Sequence, residues 1–399
     1  MREICLYLHI HQPFRLRAYS VFGISSNTNY FFDPNYNSKQ SNERIFKKVS
    51  EKSYRPTFSL LEKMLKENKK FKFSLSITGT WLEQAEMWEP ELISRLKSMV
   101  ASNRVEIVGE TYYHSMSFFY DRDEFRAQVK QHQEKIFSLF NLSPKVFRNT
   151  ELAFNDEVGL EAEKLGFKAC LAEGWDKVLG WRSPNFVYKS AGTKNLKLLL
   201  KNYRLSDDIA FRFSNRSWKE WPLSVEKYIS WLRDSCLKGN LINLFMDFET
   251  FGEHQWADTG IFNFMERFIR EWTKDPEQIF VTVSEASEKP PVAELSMPET
   301  ITWADTERDL SAWMGNPLQE EAMKYLYSLL PKVQEKSAYD PTILEDFRRL
   351  TTSDHAYYMC TKYWNDGDVH AYFSAYDSPF DAFMYFLNIL HSLEYRVST

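Results

Sequence analysis

Two acidic residues close short apolar runs: Glu151 in FRNTEL (147–152) and Asp247 in LINLFMDF (241–248). A carboxylate at the end of an apolar run is costly unless it is paired or faces a cleft, so Asp247 reads as a functional group. Glu151 has two readings, a reactive group or an acidic residue favouring the N-terminus of the helix that follows. Two carboxyls brought together from separate strands can cleave a glycosidic bond with retention. One attacks the anomeric carbon while the other protonates the leaving oxygen, at a separation of about 5–5.5 Å. His9 and His11, two apart in HIHQP, project to one face of an extended segment, where they can donate to sugar hydroxyls or contribute to a metal site. Arg148 can keep a neighbouring carboxylate ionised, and aromatic rings can cover sugar faces. For Trp256, Trp303 and Trp313, packing in the core is the default reading.

The elements that must position these residues follow from hydrophobic periodicity. β-type runs at 4–10, 72–77, 105–109, 145–149, 167–172, 241–248 and 279–285 alternate with helical spacing near 55–69, 89–101, 122–140, 156–166, 224–237 and 260–273. This beat predicts an α/β fold of about seven strand–helix units with a parallel sheet. The stretch from 173 to about 223 is less regular. In a β/α barrel the reactive groups sit at the C-terminal ends of the strands. The residues found there are His9 and His11, Trp81 and Glu83, Glu110 and His114, Arg148 and Glu151, Glu173 and Trp175, then Asp247, Glu249, Glu253, His254 and Trp256. Pro, Ser and Glu interrupt the pattern over 286–300, which places a catalytic domain at 1–290 and a second domain at 291–399. Helices near 317–338, 342–360 and 377–396 make the second domain a bundle. Within it, SDHAYYM (353–359) is too polar for a plain bundle surface. Residues 17–54 form the longest stretch without periodicity, as expected of a functional loop.

Composition excludes several classes. With 399 residues and 43% hydrophobic content the chain can build a sizeable core. Fifty Lys and Arg against 55 Asp and Glu leave a net charge of −5, so no positive field exists to hold a nucleic acid. Aromatic residues reach 16% and suit ligands that stack. Cys5, Cys170, Cys236 and Cys360 are scattered, as in free thiols of a reducing compartment. The chain enters an apolar alternation immediately after Glu3, without a signal-peptide pattern, and no apolar run approaches a membrane span. These features predict a cytoplasmic protein with no membrane partner.

HQP at 11–13, VGETYYHSM at 108–116, FRNTELAFND at 147–156, MDFETFGEHQW at 246–256 and TSDHAYYM at 352–359 together resemble glycoside hydrolase family 57, especially its α-amylase branch. The resemblance implies an incomplete (β/α)7 barrel, a C-terminal α-helical domain closing the active site, and retaining action on α-glucans. It matches Glu151 to the nucleophile and Asp247 to the general acid/base, a role that calls for a raised pKa. His11, His114, Glu249 and Asp354 match substrate-site positions, as do Trp256 and Tyr357. With His9, Trp81, Arg148 and His254 they complete the candidate substrate-binding set, with no metal and no cofactor. The expected activity is hydrolysis of α-1,4 bonds in starch- or glycogen-type glucans. The alternative is 4-α-glucanotransferase or other transglycosylase chemistry on the same scaffold, disfavoured because the chain lacks the large β domain that the family's glucanotransferases carry. A metal-dependent carbohydrate deacetylase is disfavoured because Gln12 and Pro13 stand where an Asp would complete a metal cluster. A non-catalytic glucan-binding protein would have little reason to hold both carboxylates.

Overall fold

The first nine-residue strand, β1 (Arg2–Ile10), is buried on both faces from Ile4 onward, as a strand inside a parallel sheet must be. The computed structural model describes residues 1–362 and 374–399. The other strands are β2 (Phe73–Ile77), β3 (Val105–Val108), β4 (Val146–Arg148), β5 (Ala169–Glu173), β6 (Val187–Ser190), β7 (Lys197–Lys201), β8 (Leu241–Asp247), β9 (Gln278–Val281) and β10 (Glu294–Leu295). Two parallel arcs arise, β3-β2-β1-β8 and β4-β5-β7. One join is a parallel bridge between Gly109 and Phe147, with Arg148 N donating to Gly109 O at 2.8 Å. The other runs from Asn202 N to Asn243 O and from Asn243 Nδ2 to Leu200 O, both 2.9 Å. Seven parallel staves therefore form the incomplete (β/α)7 barrel, with sparse bonding at the two joins.

The seventh stave is not the one the periodicity predicts. β9 pairs with Arg2–Cys5 of β1, on the same edge where β2 pairs with Tyr7–Ile10, so it plugs the base of the barrel. The chain then turns into the helix Val283–Ser287 under a reciprocal cap between Thr282 and Glu285, which takes the residues expected to continue that strand. The missing stave is β7, whose sequence KLLLK hides three buried leucines between lysines. β6 pairs antiparallel with β7 outside the barrel.

Past residue 290 the chain still lies on the barrel, with β10 against β6 and Ile301 bridged to Phe154. Helices Ser311–Met314, Pro317–Ser328, Leu330–Lys336, Pro341–Leu350, Ser353–Tyr357 and Pro379–Ser398 follow. The expected single helices over 317–338 and 342–360 are each broken, at Leu329 and at Thr351–Thr352. They bury Met323, Leu326, Val333, Phe347, Phe386 and Leu390 in one cluster that also takes Phe14, Tyr19, Tyr30 and Phe31 from the long loop after β1. Tyr19 and Tyr30 both bond Ser392 on the last helix. Arg349 grips Glu83, and Ser353 N donates to His114 O at 2.9 Å. The helical region thus reaches the loops after β1, β2 and β3. Among the described residues no helix is long and apolar enough to cross a membrane.

Candidate active site

After β4 the chain makes a tight turn, Thr150–Leu152, in which Glu151 and Leu152 both adopt left-handed backbone (φ 57° and 52°). Non-glycine residues in that region cost about 1–3 kcal/mol each and persist only where the surroundings over-determine them. Here Asn149 Nδ2 donates to Ala153 O (2.9 Å), Thr150 Oγ1 donates to Ser115 O (2.7 Å), and Trp303 N donates to Glu151 O (3.2 Å). The turn aims the Glu151 carboxylate into the barrel mouth. His114 Nε2 donates to its Oε1 at 2.8 Å, and Trp303 Nε1 donates to its Oε2 at 2.7 Å. Burial alone would raise the Glu151 pKa, but His114 and Arg148 lower it below the usual range.

Beneath this carboxylate lies a buried charge network. Glu110 is fully buried, 3.2 Å from His9 Nε2, 3.7 Å from His114 Nδ1 and 3.8 Å from Arg148 Nη1. These neighbours overcome the cost of burial and hold it ionised. Burial disfavours charge on His114 too, yet Glu110 and Glu151 raise its pKa to about 9, keeping a proton on Nε2 for Glu151. Arg148 Nη1 sits 3.2 Å from His114 Nδ1. The rings of His9, His11 and His114 stack, with centroids 4.1 Å apart for the closest pair, His11 and His114.

Asp247, at the end of β8, faces this network through His9, whose Nδ1 lies 3.5 Å from Oδ1. Its recessed position would raise its pKa, but His9 first, then His254 and Arg148, pull it down to about 2. The raised pKa expected of this residue is therefore not found here, because the hydrogen-bonding contact with His9, with His254 and Arg148 beyond it, favours its charged form. The raised carboxyl is Glu249, brought up to about 8 by burial and by the charge of Asp247; Tyr54 OH donates to its Oε1 at 2.7 Å. Gly252, at φ 105°, lets the following turn pass Lys52 O, which a Cβ there would meet at 1.9 Å. The turn presents Trp256, 52% exposed, with Lys52 Nζ 5.1 Å from its ring centre.

The helical region supplies Asp354, which accepts from His11 Nε2 at 2.9 Å while His11 Nδ1 contacts Thr78 Oγ1 at 2.9 Å. Burial, then His114, lowers the His11 pKa to about 4, and His11 in turn holds Asp354 well below the carboxylate range. Tyr357 lies half-buried nearby, 6.1 Å from the Trp313 ring.

Of the expected site residues, Glu151, Asp247, His11, Asp354, Trp256, Tyr357 and His254 retain surface at the mouth. Trp81 does not: it is fully buried against Tyr54 and Phe46, so it is a core residue rather than a sugar contact. Position after a strand does not tell which way a side chain turns, and Trp81 turns inward as the helix Gly79–Trp88 begins. Arg148 is likewise fully buried, and His9 and His114 nearly so. These three hold the carboxylates and offer little surface to a ligand. Trp303 has the opposite history: expected in the core, it bonds Glu151 directly. Among the described residues, two sets of side chains have donor atoms close enough to hold a metal, His9, Glu110 and His114, and His11, His114 and Asp354. In the first, Arg148 already places a fixed positive charge 3.8 Å from Glu110, opposing a second cation.

A family model described as glycosyl hydrolase family 57 matches residues 5–298. A protein of Methanocaldococcus jannaschii, provisionally named an alpha-amylase, is 40% identical over 405 aligned residues that cover 99% of this chain and 84% of that protein. The crystal structure of a 4-alpha-glucanotransferase from Thermococcus litoralis superposes with a TM-score of 0.65 at 16% identity, over 89% of this chain and 56% of that enzyme. The chain thus spans just over half its length. A family-57 branching enzyme from Thermococcus kodakaraensis, solved with glucose, gives a TM-score of 0.66 at 14% identity over 93% of this chain and 87% of the other. At such identities the two structures speak for the fold.

Proposed function

The chain belongs to glycosyl hydrolase family 57 and is a glycoside hydrolase, and from that premise we propose that it cleaves α-1,4-glucosidic bonds of starch- or glycogen-type glucans with retention, as an α-amylase. The observation that carries this reading is the Glu151 carboxylate, ionised, held by a donor on each oxygen and carried on left-handed backbone. It attacks the anomeric carbon as Asp247 delivers a proton to the departing oxygen; water, deprotonated by Asp247, then releases the sugar. A glucan lying over Asp247 removes its solvent and adds no charge, and this raises its pKa from the value in the open site. Trp256 offers an apolar face for a sugar ring, and His11 with Asp354 and Tyr357 contacts hydroxyls. The four buried free cysteines fit action in the cytoplasm.

Transfer to a second glucan competes for the same glycosyl-enzyme intermediate. Incubation with soluble starch and with maltooligosaccharides, followed by reducing-end assay and chromatography of product lengths, separates the readings. Hydrolysis yields new reducing ends in step with bond cleavage. Transfer reshuffles lengths without them, and a binder changes neither. Exhaustive chelation should leave the rate unchanged, since two carboxylates need no electrophilic ion. Loss on chelation with recovery by zinc would favour the metal-dependent alternative.

A further inference from the structure

We propose that Trp303 is a catalytic residue whose indole N–H controls the release of the Glu151 carboxylate from the sugar. Trp303 lies outside residues 5–298, the span matched by the family model, in a segment without helix or strand periodicity. Its Nε1–H donates to Glu151 Oε2 at 2.7 Å, and its backbone N–H donates to Glu151 O at 3.2 Å. One residue thus holds both the reactive carboxylate and the strained turn that carries it.

The ring is held in place by charge. The Arg148 guanidinium and the Lys201 ammonium each lie 5.2 Å from the Trp303 ring centre. Two cations against one indole withdraw electron density and strengthen its N–H as a donor. Lys201 is itself fixed at the end of β7 by Asp207 at 3.0 Å and by the buried Glu173 at 3.8 Å. Arg308 pairs with the same two carboxylates, at 4.0 and 3.8 Å, five residues beyond the indole. This cluster touches neither Glu151 nor Asp247; it acts by fixing the tryptophan.

The consequence depends on which way charge moves. In the first step Glu151 gives an electron pair to the anomeric carbon, the bond to the leaving oxygen breaks, and Asp247 supplies the proton. Charge leaves Glu151, so a donor on its oxygen holds the reactant back. In the second step a water oxygen bonds to the anomeric carbon, Asp247 takes the water's proton, and the carbon–oxygen bond to Glu151 breaks with its electron pair returning to the carboxylate. Charge now grows on Glu151, and the indole N–H stabilises it as it forms. Trp303 therefore trades speed in bond cleavage for speed in release, and shortens the life of the intermediate that a second sugar could intercept.

The inference rests on Glu151 as nucleophile, and the test keeps the two apart. Trp303→Phe removes the donor and keeps an aromatic ring, and Trp303→Ala removes both. On α-maltosyl fluoride, whose leaving group needs no proton, Trp303→Phe should lower kcat about tenfold while kcat/KM stays within about twofold of the parent. One equivalent of fluoride should appear in a burst, and added azide should restore turnover. A parallel fall in kcat and kcat/KM, in both variants, would make Trp303 a packing residue and overturn the proposal, as would unchanged kinetics in Trp303→Phe. Labelling with a 5-fluoro-glucosyl fluoride and peptide mapping provides the independent arm. Label on Glu151 upholds the nucleophile whatever Trp303 does; label on another carboxylate overturns the nucleophile itself.

Discussion

The two walls of the site treat their carboxylates differently. On the wall built by β3, β4 and the segment after residue 300, Glu151 has a donor on each oxygen and a side chain 22% exposed. On the wall built by β8, the side chain of Asp247 is 34% exposed and the Nδ1 of His9 stands off at 3.5 Å. The difference fits the chemistry. A nucleophile must stay ionised and aimed, so fixed donors serve it. An acid/base must take a proton and give it up within one cycle, so tight pairing would hinder it and access to solvent helps.

The sharpest way to break the comparison is to remove charge from the anchored wall. Glu151→Gln keeps the size of the side chain, and its activity on starch should fall by about 10⁴-fold or more. Azide should rescue Glu151→Ala on an activated α-glucoside and give a product of inverted configuration, measured by NMR. Near-normal activity in Glu151→Gln would show that the two walls have been assigned the wrong way round. On the open wall, Asp247→Asn should cost about 10²–10⁴-fold on natural glucans but only a few-fold in the first step on α-maltosyl fluoride. Equal losses on both substrates would mean that Asp247 does not act as an acid.

How far the walls are legible in the sequence depends on what each is made of. Asp247, Glu151 and the histidines are visible because each follows a short apolar run, and a strand end fixes where its next residue lies. The barrel is visible for the same reason, except β7, where lysines at both ends of KLLLK mask a buried stave, and β9, where an apolar run gives way to a capped helix. Burial of Trp81 and Arg148 is not legible, since chain position does not report side-chain direction. Trp303 escapes as well: its role comes from a contact 152 residues away in sequence, and its local segment has no period. The depressed pKa of Asp247 needs three-dimensional proximity to His9, which only the β1–β8 register supplies, with His9 opposite Asp247.

A smaller effect is expected where the helical region reaches over the mouth. Asp354 holds the His11 ring by one bond and touches neither carboxylate, so it orders the site rather than reacting. Asp354→Ala should fold normally by circular dichroism and lower kcat/KM on maltooligosaccharides about 10- to 100-fold. A variant with unchanged kinetics would confine the site to the barrel and leave the helical region another purpose.

The smallest effect concerns stability and probes the open wall without touching chemistry directly. Glu249 lies two residues from Asp247, mostly buried, with a pKa raised to about 8 by burial and by that neighbour. Its unfolded value is near 4.5, that of a solvated glutamate, so between those two pH values the native state binds a proton that the unfolded state does not. Stability from this group is complete below the unfolded value and is lost as pH rises through the folded one. Glu249→Gln mimics the neutral form and can still accept from Tyr54. Its thermal midpoint should match the parent at pH 4 and exceed it by a few degrees at pH 8.5, measured by scanning calorimetry. Because the charge of Asp247 supports the raised value, Asp247→Asn should make the alkaline loss of stability smaller and end it at lower pH, since a lower Glu249 pKa narrows the window over which stability drains away. If Glu249→Gln and the parent trace the same curve, Glu249 is ionised in the fold, and the open wall carries two negative charges rather than one.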